Sequence, residues 1–150
     1  MDPSSLLSRQ GHRLLQLGVV LLLFTSFEGF AVPYVAVPHL GRSVHTLSAL
    51  LAVLLLALGL VWARLELGPV ASRVAFWLLV YSGLATIAAF VLAAAWGAGS
   101  TVMPLAAGNA RGSDAQEQII RLVAYSAAPT GIACFALVLW GLRHVRPAGG

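Results

Sequence analysis

Residues 44–63 read VHTLSALLAVLLLALGLVWA, twenty positions without a formal charge. At a rise of 1.5 Å per residue this stretch makes a helix of about 30 Å, the thickness of a bilayer's hydrocarbon core. Three further apolar runs flank it: Leu14 to Tyr34, interrupted by Glu28 and Gly29; Val70 to Trp96; and Ile119 to Leu142. Within 150 residues, four such runs leave room only for short connections and two tails. The expected fold is all-α: an integral membrane four-helix bundle forming a single domain over residues 1–150. Composition agrees, with 59% hydrophobic and 9% charged residues and a mean hydropathy of +0.90, against about 45–50% and about 25% in soluble domains. A soluble enzyme and a disordered chain are both excluded.

All nine basic side chains are arginines, and the net charge is +4. They stand at the ends of apolar runs, so they read as topology signals and not as a nucleic-acid footprint. Arg9, Arg13, Arg64, Arg73, Arg143 and Arg146 share the face of the two termini, while Arg42, Arg111 and Arg121 lie on the other. Both termini are therefore expected in the cytoplasm. The first run reads as a retained helix: it is longer than a signal-peptide core, and no small-residue cleavage site precedes Glu28. Of the connections, 31–41 (AVPYVAVPHLG) carries two prolines and is expected to leave the helix and run extended. Arg64 to Pro69 (RLELGP) reads as a tight polar turn, and Gly97 to Gln118 as a long functional or disordered loop. Ala85, Ala89 and Ala93 on the third run, with Ala127 and Gly131 on the fourth, form small-residue faces for packing within the bundle or between copies. No internal repeat supports an inverted-repeat transporter.

Polar groups inside apolar runs are costly and mark candidate sites. His45 stands one position into the second run, with Ser48, Ala49 and Ala52 at helical spacing. An imidazole above small side chains suits a flat cofactor lying close to the backbone; an interfacial histidine bonded to a carbonyl is the alternative. His12 and His144 belong to the opposite face, about 30 Å away, and His39 to the proline-bearing loop. A haem at His45 would thus have one axial histidine and an open sixth position, the arrangement that binds ligands or substrates. Glu28, in the outer half of the first run, needs a partner or a proton. Arg42 and Arg121 border the same face and are candidates to pair it, or to hold haem propionates by forked bonds. Tyr34, Tyr81, Thr86 and Tyr125 are the remaining hydroxyls in or near spans. Cys134 is the single cysteine, has no basic neighbour in sequence, and reads as an inert core residue. No Walker A loop, dinucleotide fingerprint, HExxH or GxSxG motif occurs. Ligand binding or chemistry on a cofactor is left, with a scaffold as the alternative.

The order and spacing of several short motifs carry a resemblance. Gly11-His12 opens the first run, Gly29-Phe30 leads to Pro33 and Pro38, and Arg42 shortly precedes His45. Arg73 begins the third run, residues 108–114 read GNARGSD, and Pro129 interrupts the fourth. Over nearly its whole length the chain resembles the styrene oxide isomerase family of small four-helix membrane proteins. The resemblance implies a homotrimer in a bacterial inner membrane with haem b between protomers. His45 would be the iron's axial ligand, with Arg42, Ser48, Ala49, Leu51 and Phe90 around the cofactor. It also implies that ferric iron acts as a Lewis acid on a small hydrophobic aryl epoxide. The ring would open to a benzylic cation, and a hydride shift would give an aldehyde or ketone. Thr86, Tyr81 and Tyr125 are the candidate orienting groups, and a dry apolar pocket would shield the cation. The chain departs from the family where the isomerases carry Asn two turns after the ligand histidine, here Leu51, and Asn and Tyr on the third helix, here Thr86 and Phe90. Either the substrate differs, or the haem has been kept without the reaction, as in a membrane sensor or carrier.

Overall fold

Proline at the first turn opens three of the helices, because its fixed φ suits a helix and its missing N–H is one the first turn leaves unused. In the computed structural model, which describes residues 3–143, these are α2 (Pro38–Val61), α3 (Pro69–Trp96) and the short α4 (Pro104–Ala107). Helix α1 (Pro3–Ala31) precedes them. The last helix, α5 (Asp114–Gly141), opens on a capping box: Ser113 Oγ accepts from the Gln116 N–H while the Gln116 side chain accepts from the Ser113 N–H. Helix α3 stops at Gly97, whose φ of 64° is left-handed and lets the Ala98 N–H return to the Ala93 carbonyl. The four long helices are each long and apolar enough to cross a membrane. The protein is an all-helical membrane protein; His144 and Arg146 lie outside the described residues.

Three sequence expectations are corrected. Residues 31–41 do not run extended throughout, since Val32–Tyr34 is a turn of 3-10 helix and Pro38 starts α2 instead of belonging to a loop. His39 is therefore helical, and His45 lies two turns into α2, not at its head. Helix α5 begins at Asp114, before the apolar run, and continues through Pro129 without interruption; the Thr130 hydroxyl bonds the carbonyls of Ser126 and Ala127 in that same turn. The turn after α2 is polar only in part: Leu65 and Leu67 are buried against Gly141, and the Glu66 N–H donates to the Gly141 carbonyl at 2.9 Å.

The helices associate in two pairs, α1 along α2 and α3 along α5, joined through a looser α2–α3 contact. In lipid, close approach depends on small side chains, and the α1–α2 pair shows it at one point. A Cβ on Gly11 would stand 2.7 Å from the Gly59 carbonyl oxygen, and one on Gly59 would stand 2.9 Å from that of Gly11. Gly11→Ala is accordingly expected to cost about 1–3 kcal/mol by forcing the backbones apart, read as a lower thermal midpoint in detergent. Ala85, Ala89, Ala93 and Ala127 are buried within the chain, and Gly131 faces Ser82, so those small-residue faces are used inside the bundle. Trp62 is fully buried and its indole N–H donates to Gln10 Oε1 at 3.1 Å.

Candidate functional site

The end of α1 and the start of α2 lie side by side, and this brings Glu28 to His45. Imidazole Nδ1 lies 3.3 Å from Glu28 Oε2, an oxygen that is buried and makes no hydrogen bond of regular geometry. The Glu28 side chain is 12% exposed and that of His45 47%. The ring lies over the α1 backbone, for a Cβ on Gly29 would meet its Nδ1 and Cε1 at 3.2 Å. A carboxylate against Nδ1 selects the tautomer that carries its proton there, which leaves the Nε2 lone pair as the free ligand. Sequence spacing expected an arginine to pair Glu28. Instead the Arg121 guanidinium bonds Gln118 Oε1, and Arg42 lines a cavity beside Phe90. Long basic side chains carry their charge outward to water, whereas the short carboxylate meets the group opposite it on the neighbouring helix.

The other candidates divide between two adjoining hollows. Leu51 and Thr86 line a groove of about 490 Å³ between α2, α3 and α5, with Leu47, Ser82, Gly83, Ala127 and Gly131 among its walls. Arg42 and Phe90 line a more open hollow of about 600 Å³ with Thr46, Leu47 and Met103. Leu47 belongs to both; His45 belongs to neither and stands on the side of α2 that faces α1. The candidate hydroxyls are largely committed. Thr86 Oγ1 donates to the Ser82 carbonyl at 2.8 Å. Ser126 Oγ donates to the Val123 carbonyl, so the 2.8 Å contact between it and Tyr81 has the tyrosine as donor. Tyr125 is exposed on α5 and contributes no wall to the groove. Ala49 is half-buried, and Ser48 is fully buried with its hydroxyl oxygen unpartnered.

The long connection is built around a residue that the sequence does not single out. Glu117, in the first turn of α5, is buried and its carboxylate accepts six hydrogen bonds. Four come from the backbone N–H groups of Gly99, Ser100, Thr101 and Gly112, and two from the Ser100 and Thr101 hydroxyls. The loop is ordered through this one side chain, and its Ala98, Met103 and Ala107 pack with Phe90, Ala93 and Ile120 in one buried cluster.

Comparison with known proteins bears on this arrangement. The family model for styrene oxide isomerase matches residues 10–143. Hydroxylaminobenzene mutase HabB of Ectopseudomonas oleovorans is 44% identical over 132 residues, covering 88% of this chain and 80% of the relative. Hydroxylaminobenzene mutase HabA of the same organism is 34% identical over 125 residues, covering 83% and 93% respectively. No solved structure matches. The match takes in both the α1–α2 and the α3–α5 pair, with the Glu28–His45 contact inside the first. On this evidence the chain belongs to the styrene oxide isomerase family.

Proposed function

We propose that this protein is a membrane isomerase that uses haem b held by His45, and that its substrate is a small aromatic with an oxygen-bearing bond beside the ring, an N-aryl hydroxylamine first. The observation that carries the reading is the His45 imidazole, fixed on Gly29 and backed by Glu28, with Nε2 left free. The donor set suits a porphyrin better than a bare ion. Among the described residues no three His, Cys, Asp or Glu side chains cluster, whereas a porphyrin brings four nitrogens and needs one axial ligand from the protein. His45 would hold the iron, and Arg42 and Arg121 are the cations available to its propionates. When bound, ferric haem supplies a Lewis acid for a substrate oxygen.

This chain's own part is to bind, orient and keep dry. The groove walls of Leu47, Leu51, Gly83 and Ala127 accept an aryl ring, and Ser82 and Thr86 add hydroxyl oxygens that can accept a hydrogen bond from a substrate O–H or N–H. Because His45 and the groove occupy different sides of α2, the reading requires a homotrimer in which the His45 face of one protomer would adjoin the groove of the next. For N-phenylhydroxylamine the rearrangement breaks N–O, forms a ring C–O bond, and moves one proton from that carbon to nitrogen. Atoms and electrons balance without a co-reactant, and excluding water protects the cationic stage.

The two mutases favour the hydroxylamine, and so do Leu51, Thr86 and Phe90, which stand where epoxide isomerases carry Asn and Tyr. Aryl epoxide rearrangement to a carbonyl compound is the second reading, favoured by the family model. We place the protein in a bacterial inner membrane with both termini cytoplasmic, as the arginine distribution favours.

The test is an absorption spectrum of detergent-purified protein, followed by incubation with N-phenylhydroxylamine and with styrene oxide. A Soret band and formation of an aminophenol are expected. A carbonyl product from the epoxide alone would favour the second reading. A haem-loaded protein that turns over neither is a carrier or sensor. Glu28→Gln is expected to weaken haem binding about 10–100-fold, as loss of a histidine's carboxylate partner does elsewhere, measured by titrating haem into the apoprotein.

A further inference from the structure

The end of the molecule remote from His45 carries a second polar feature, independent of the reading above. Arg9 and Arg13 of α1 and Arg73 of α3 line one cavity of about 230 Å³ with Leu6, Gln10, Phe76 and Trp77. Among the described residues no carboxylate lies within ion-pair distance of any of the three arginines. Glu66, in the nearby turn, is exposed and not bonded to them. Arg9 Nε donates to the Ser5 carbonyl, and among the described residues its terminal nitrogens meet no carboxylate. Gln10 is 6% exposed and its Oε1 is taken by Trp62, so what it offers the cavity is its amide NH2. The polar wall therefore consists of donors without an acceptor among them, the complement of an anion.

The cavity does not end there. A second hollow of about 300 Å³ shares Arg13, Phe76 and Trp77 with it and continues along Leu17, Val20 and Val80. A third, wholly apolar, shares Leu17, Val20 and Val80 and reaches Phe24 and Ile87. The path runs between α1 and α3, helices that barely touch. From Arg13 to Phe24 it extends about 16 Å at the helical rise. A donor-lined head joined to an apolar slot of that length fits an amphiphile, not a free ion.

We propose that this is a binding site for an anionic phospholipid, with the phosphate among Arg9, Arg13 and Arg73 and one acyl chain in the α1–α3 slot. Basic pockets between membrane helices recognise anionic head groups by this chemistry.

Native mass spectrometry of the full chain in detergent tests it, with palmitoyl-oleoyl phosphatidylglycerol, phosphatidylcholine of the same chains, and inorganic phosphate as probes. Phosphatidylglycerol is expected to bind at least tenfold more tightly than phosphatidylcholine. The Arg9→Gln, Arg73→Gln double variant should lose on the order of 25-fold, about fivefold per arginine near an anionic surface. Arg64→Gln, at the same end but outside the cavity, should lose nothing. Val20→Trp, which fills the slot with all charges intact, should weaken both lipids and keeps the test independent of how the arginine variants fold. Equal affinity for the two lipids, binding unchanged in the double variant, or an equal loss in Arg64→Gln would overturn the proposal. Displacement of the lipid by millimolar inorganic phosphate would overturn it too, by assigning the arginines to free phosphate.

Discussion

Replacing Glu117 with alanine is expected to destabilise the detergent-solubilised protein by about 4 kcal/mol. The carboxylate is buried and takes six hydrogen bonds from residues 99–112. Hydrogen bonds to a charged group contribute about 1.5–3 kcal/mol each when isolated, and less each when several share one acceptor. Alanine leaves four backbone N–H groups without that acceptor in a part-buried loop, where each unsatisfied donor costs desolvation energy. Glu117→Gln should fall about midway, since its amide keeps one accepting oxygen but turns an NH2 toward donors. Two measurements check this: the thermal midpoint followed by circular dichroism, and tryptic cleavage at Arg111, which should accelerate at temperatures where wild type resists. An unchanged midpoint would mean that the loop is held by its other contacts, such as the turn around Met103.

The second large effect is expected at His45. If haem b is held as proposed, His45→Ala should remove the Soret band and lower turnover about a thousandfold or more, because Lewis-acid activation contributes several kcal/mol and each 1.36 kcal/mol is tenfold in rate. His45→Gly with imidazole added to the buffer should recover pigment and part of the activity, which separates loss of the ligand from loss of the fold. The apoprotein's stability should hardly move, since the side chain is half exposed and meets the Glu28 carboxylate only as a 3.3 Å contact. A variant that kept its pigment would transfer the iron to another side chain and sink the assignment.

Much of this molecule is legible before any coordinates. A stretch such as 44–63 can be little other than a membrane helix, and the prolines at 38, 69 and 104 stand where helices begin. What misled was the double role of proline: Pro38 was read as a breaker, although the residue that cannot continue a helix is well suited to start one. The sequence draws attention to His45 but not to its partner. Glu28 is seventeen positions away, and no periodicity within one helix states how a second helix will be rotated against it. The burial of Leu65 and Leu67 was hidden for the same reason, because the surface that covers them arrives with Gly141 at the far end of the chain. Glu117 was invisible as an organiser since its six donors are mostly backbone groups, which have no signature in a sequence.

The pairing of helices also bears on how such a protein could diversify. Inside the α1–α2 pair the fit is unforgiving, as the reciprocal contact of Gly11 and Gly59 shows. The seam between the pairs is another matter, because Leu47, Leu51 and Thr86 line a groove there. Replacements at those positions change what the groove will admit without prying apart two backbones. Selection could therefore try new substrates along the seam in single steps, while the paired helices preserve the fold that every trial depends on.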